Sequence, residues 1–144
     1  MNSIAHILLI GNGSEQVRLM TAALAHVAEP HHLTRAATGD RALELLEDRE
    51  RFSRRNPDLI LLDAHLPDEN GFDLLSRLKS SSMYRTIPVI VLCASAEDLE
   101  VRRIYQLHAN AVVRKTETLA QAIQAMEAIC RMWLTVAIRP ASEP

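Results

Sequence analysis

Short apolar runs alternate with amphipathic segments along this chain. His6-Ile7-Leu8-Leu9-Ile10 is the first run, and Gly11-Asn12-Gly13 stops it with a strong turn signal. Val17, Met20, Leu24 and Val27 then recur at helical spacing, with Ser14 placed to cap the helix and Pro30 beyond its end. Leu33 to Ala37 reads as a weak strand, preceded by His31-His32 in a loop. Ala42, Leu45 and Leu46 mark a second helix that runs into the charged stretch Asp48 to Arg55. Leu59-Ile60-Leu61-Leu62 is the clearest buried strand and ends at Asp63. Gly71 and Phe72 open a helix with the stripe Leu74, Leu75 and Leu78. Val89-Ile90-Val91-Leu92 follows Pro88 as another strand. Ser95 with Asp98 reads as a capping box for a helix carrying Val101, Ile104 and Leu107. Ala111-Val112-Val113 is a last short strand, and Leu119, Ile123, Met126, Ile129 and Trp133 predict one long terminal helix.

Strands without polar alternation are buried on both faces, as in a parallel sheet, and helices of this length make right-handed crossovers. The pattern predicts an α/β doubly wound sheet of five β-then-α units. A chain of 144 residues is one domain by length, here a core of about residues 5–137 and a tail at 138–144.

Composition narrows the function. Aromatics are 3%, so the core is aliphatic. Sixteen basic residues against 18 acidic ones give a net charge of −2, which argues against a surface built for nucleic acid, the Arg51, Arg54 and Arg55 cluster notwithstanding. No apolar stretch approaches the roughly 18 residues of a membrane span, and the expected location is the cytoplasm. Cys93 and Cys130 have no metal spacing and sit in apolar company, where a reduced buried thiol is the default; a redox role for Cys93 beside a lysine is the weaker reading. His31-His32 reads as polar surface rather than as a metal site. No nucleophile–base pair or glycine-rich phosphate loop points to an independent enzyme.

In open parallel sheets, sites form at the carboxyl ends of the strands. Asp63 and Lys115 converge there, and a carboxylate beside an ammonium suits phosphoryl transfer, with Asp63 as nucleophile and Lys115 on the phosphate oxygens. Spacing alone favours a plainer picture, in which Asp63 caps the turn through Gly71 and Lys115 is solvated.

A resemblance changes that weighting. Leu61-Leu62-Asp63-Ala64-His65-Leu66-Pro67-Asp68-Glu69-Asn70-Gly71-Phe72 resembles the phosphoacceptor segment of response-regulator receiver domains. Ile87 to Ser95 resembles their fourth strand and switch position, and Ala109 to Lys115 their fifth strand and lysine. The resemblance implies the flavodoxin-like (βα)5 receiver fold and a phosphoryl group accepted at Asp63 from a sensor histidine kinase. It also implies Mg²⁺ held by Asp63, position 12 and the backbone carbonyl of His65, and a switch at Cys93. The stand-alone receivers that partner phytochromes are the nearest kind, and a homodimer through the last helix is expected from Trp133. Here the family's acidic pair is Gly11-Asn12, the switch hydroxyl is the thiol of Cys93, the mobile aromatic is Val112 and the proline after the lysine is Thr116. Mg²⁺ favours carboxylate oxygens, so binding is expected to be weakened. The alternative is an atypical pseudo-receiver that acts as a phosphorylation-independent interaction module.

Overall fold

The computed structural model describes residues 4–12, 15–48, 50–52, 55–66, 71–94 and 97–138, with only the backbone of residues 98 and 99. Strands β1 (Ala5–Ile10), β2 (His31–Ala36), β3 (Leu59–Asp63), β4 (Val89–Cys93) and β5 (Ala111–Arg114) form one sheet in the order β2-β1-β3-β4-β5, with every neighbouring pair parallel. Helices α1 (Glu15–Leu24), α2 (Gly39–Glu47), α3 (Gly71–Ser80), α4 (Asp98–Gln106) and α5 (Leu119–Cys130) connect and follow them. This is the flavodoxin-like, doubly wound arrangement of five β-then-α units.

The period-two side-chain alternation of a strand sorts the sheet into two faces. Leu8, Ile10, Ile60, Leu62, Val89, Val91 and Cys93 pack with α2, α3 and Ile104 of α4. Ile7, Leu9, Leu59, Leu61, Ile90 and Leu92 pack with α1 and α5. Because both faces are covered, β3 and β4 are buried at every position, which is why they read as unbroken apolar runs.

Several local expectations are corrected. The strand expected at Leu33 starts at His31, so His31 and His32 lie in β2 rather than in a loop. His31 Nδ1 lies 2.8 Å from the Glu29 carbonyl oxygen, and the His32 ring lies 5.2 Å from that of His6, its register partner on β1. Helix α4 has Glu97 as its N-cap, without a side-chain cap hydrogen bond, and the capping box expected from Ser95 to Asp98 falls on side chains outside those described. Ser14, Ser95, Arg54 and residues 139–144 lie outside the described residues. The terminal helix is α-helical only to Cys130, and Arg131–Val136, with Trp133, continues as a π-helical segment. Phe52, read from the sequence as part of a charged stretch, is a fully buried anchor packed edge-on to His6.

Candidate functional site

Strand parity places the site residues. Asp63 ends β3 on the side of Leu59 and Leu61, facing α1 and α5. Lys115 follows β5 on the side of Ala111 and Val113, the same face. The sheet therefore brings both to one place, and Lys115 Nζ donates to Asp63 Oδ1 at 2.9 Å with the carboxylate almost fully buried. The same oxygen accepts the backbone N–H of His65 at 2.9 Å. Lys115 N donates to the Cys93 carbonyl at 3.0 Å, which ties the lysine to the end of β4. Asp63 is thus neither a plain turn cap nor remote from Lys115: one carboxylate oxygen serves the turn and the ammonium together.

Gly71 has a structural role. A Cβ there would meet Ala64 O at 2.7 Å and Asp63 O at 2.9 Å, and its own N–H donates to Ala64 O at 2.9 Å. Only glycine permits this close return of the chain onto the end of β3.

Gly11 also faces Asp63, and the space a side chain would need is taken. A Cβ at Gly11 would lie 2.6 Å from Val17 Cγ2 and 3.3 Å from Asp63 Cβ. Val17 is itself buried in the α1 face, and a β-branched side chain has little freedom to swing aside. Asn12 is exposed. Among the described residues no group of three or more His, Cys, Asp or Glu side chains is placed to hold a metal ion. Asp63 is the only buried carboxylate among the described residues, its Oδ1 is already engaged by a cation, and an apolar side chain stands where a second carboxylate is needed. The residues present do not fit a resident Mg²⁺.

Cys93 has the opposite parity from Asp63. It lies with Val89 and Val91 on the α4 face, and its Sγ donates to Glu100 Oε1 of α4 at 3.3 Å. His65, largely exposed, places Nε2 3.7 Å from the same Glu100 oxygen. Sequence reasoning missed Glu100. The available signal was its i,i+4 spacing to the buried Ile104, which puts it on the inward face of α4. Also missed was Gln16 of α1, whose Nε2 donates to Thr116 O at 2.7 Å and clamps the loop after Lys115. Gln16 Oε1 and Thr116 Oγ1 are buried there with no hydrogen-bond partner among the described residues.

Of the remaining candidates, Arg55 is drawn inward to Asp58 Oδ2 at 3.4 Å and to the Ile4 carbonyl at 3.3 Å. Cys130 is buried, and burial with the nearby Glu29 charge pushes its thiol pKa up to about 12, so it stays protonated and inert. No helix among the described residues is long and apolar enough to cross a membrane.

A parallel five-stranded sheet carrying a buried aspartate–lysine pair at its carboxyl edge is the signature of a receiver. Residues 7–127 match the response regulator receiver domain, and the chain belongs to that family, a receiver module of two-component signalling. It is 29% identical over 137 residues to Response regulator Rcp1 of Synechocystis sp., covering 94% of this chain and 93% of that protein. The Mn²⁺-bound form of Rcp1 superposes with a TM-score of 0.81 over 95% of this chain and 99% of that one. The phosphorylated cyanobacterial phytochrome response regulator RcpA is 32% identical, with a TM-score of 0.84 over 96% of this chain and 100% of RcpA. The probable methanogenesis regulatory protein FilR2 of Methanothrix harundinacea is 31% identical over 128 residues, 89% of this chain and 83% of FilR2. Receiver domains bind Mg²⁺ or Mn²⁺.

Proposed function

We propose that this chain acts as a receiver that accepts a phosphoryl group at Asp63 from a sensor histidine kinase with little help from a metal ion. The observation that carries the reading is the 2.9 Å pair of Lys115 with Asp63 on one face of the sheet. The Asp63 carboxylate forms the P–O bond as the P–N bond of the phosphohistidine breaks, and the electron pair stays on the departing imidazole nitrogen. Lys115 exchanges the carboxylate for a phosphoryl oxygen and offsets its charge. Asp63 and Lys115 are group-transfer residues of a signalling module, and no independent enzyme activity is assigned. We take the kinase to be of the phytochrome type because of the kinship with RcpA, and the site of action to be the cytoplasm. Neither nucleic acid nor membrane is a proposed partner. A homodimer through the last helix is supported by the exposed Met132 and Val136 beside the half-buried Trp133.

A second reading, a pseudo-receiver that binds its partner without phosphorylation, is favoured by Val17 filling the space beside Gly11. Intact-mass spectrometry after incubation with a small phosphodonor separates the two. A one-phosphoryl gain that Asp63→Asn lacks, and that persists without Mg²⁺, is the expected result. A gain that requires Mg²⁺ overturns the metal argument, and no gain from folded protein or from the cognate kinase leaves the second reading. Sedimentation of the same samples tests assembly: a monomer at every concentration removes the dimer.

A further inference from the structure

The pocket is joined to α4 by a closed ring of contacts. Lys115 Nζ and the His65 N–H both donate to Asp63 Oδ1, at 2.9 Å each. Lys115 N donates to Cys93 O at 3.0 Å, and Cys93 Sγ donates to Glu100 Oε1 at 3.3 Å. The ring closes where His65 Nε2 stands 3.7 Å from that same oxygen. One carboxylate oxygen on α4 thus meets groups from β4 and from the β3–α3 loop, and each of those groups is also bound, through its own backbone, to the Asp63–Lys115 pair. A thiol is a weak donor, but an ionised acceptor strengthens the bond. The Glu100 side chain is largely buried, with 20% exposure, which limits screening by solvent.

The contacts continue beyond the ring. Tyr105 lies on α4 five residues after Glu100, and its hydroxyl accepts the Val112 N–H of the edge strand β5 at 3.1 Å. The aromatic that couples α4 to β5 is therefore carried by α4, and the β5 position holds valine.

We infer that Glu100 is the positioning residue that transmits the state of the Asp63–Lys115 pair to α4 and, through Tyr105, to the outer edge of β5. The inference rests on the reading of that pair as the signalling centre. It replaces the switch hydroxyl with a carboxylate reaching in from the output helix. A change at Asp63 that moves Lys115 or the His65 turn alters both groups that meet Glu100, the Cys93 thiol that donates to it and the His65 ring beside it, and α4 follows the carboxylate.

The test is a double-mutant cycle read by backbone amide shifts of the full-length, ¹⁵N-labelled chain. Asp63→Asn is introduced into the wild type and into Glu100→Ala, and the amides of Ile104, Tyr105 and Val112 are compared. The expected result is a shift of all three in the wild type, its loss in Glu100→Ala, and its return in Glu100→Gln, which keeps an acceptor for the thiol. Cys93→Ala, made from the β4 side, is expected to give the same loss should Glu100→Ala fold poorly. An equal response with and without Glu100 overturns the inference and leaves the pocket reading intact. No response of α4 in the wild type also overturns it; failure of the pocket reading itself shows separately, as an unchanged Lys115 side-chain signal in Asp63→Asn.

Discussion

Both ends of the sheet half-bury or bury a lysine, and the two lysines are satisfied in different ways. At the carboxyl end, Lys115 meets the carboxylate of Asp63 at 2.9 Å. At the amino end of β4 and β5, Lys79 of α3 donates to the carbonyls of Arg85 and Ile87 and to Asn110 Oδ1, at 3.1, 2.8 and 3.0 Å. Asn110 Oδ1 also accepts the Val89 N–H at 2.9 Å, so Lys79 fastens the start of two strands to α3. Lys79 gives its three donors to neutral oxygens, and burial lowers its pKa. It has no anion to exchange for another. Lys115 does, and an ion pair whose anion can be replaced by a phosphoryl oxygen is suited to signalling. The same residue type fastens the fold at one end and, in the proposed function, serves chemistry at the other because of what it faces.

The sharpest way to break this comparison is to rebuild the carboxyl end. Gly11→Asp forces a Cβ to within 2.6 Å of Val17 and a second carboxylate beside Asp63. Overpacking and like-charge repulsion together predict a loss of about 3 kcal/mol in urea unfolding. Adding Val17→Ala is expected to recover part of that loss, a non-additivity diagnostic of direct contact. The double variant also gains thermal stability on addition of Mg²⁺, which the wild type does not. If Gly11→Asp alone is harmless, or alone confers the Mg²⁺ response, Val17 is not what closes the site.

The amino end is expected to answer differently. Lys79→Met keeps the length of the side chain and removes the three donors, leaving the carbonyl of the buried Ile87 short of a partner. The expected cost is about 2 kcal/mol of stability, with phosphoryl acceptance at Asp63 unchanged. A cost below about 0.5 kcal/mol, within the range of ordinary surface substitutions, would show that water replaces the lysine and that it is not a fastening.

The same contrast explains what could be read from the chain. Asp63 and Lys115 were legible because each follows an unbroken apolar run, and parallel strands deliver their carboxyl ends to one edge. Lys79 and Asn110, 31 residues apart, and Gln16 and Thr116, 100 apart, follow no run and meet only through tertiary packing. Glu100 was hidden among the charges of an amphipathic helix, where one acid looks like another until the helix is docked. The space beside Gly11 was not legible: the sequence shows a missing carboxylate, and the structure adds that Val17 stands where a Cβ would go. The start of β2 was missed because two histidines resemble a loop, and the π-helical end because it keeps a helical apolar rhythm.

The smallest expected effect lies at the amino end and depends on pH. His6 donates its backbone N–H to Asp58 Oδ2 at 2.8 Å, while its ring sits against His32 and Phe52. Burial lowers its pKa below 6.5, reinforced by the positive charges of Arg55 and His32 and opposed by Asp58. A histidine whose folded pKa is depressed takes up its proton more readily in the unfolded chain. Above the unfolded value near 6.5 neither state is protonated and His6 has no effect on the pH slope. As the pH falls through that value towards the folded one, protonation favours the unfolded chain and stability declines. Unfolding free energies measured in urea across this window should fall more steeply for the wild type than for His6→Gln. Parallel slopes would mean that His32 or another group carries the acid sensitivity. A steeper wild-type slope would show that the amino end, though it holds its charges for structure alone, still responds to protons, by losing stability rather than by transmitting a signal.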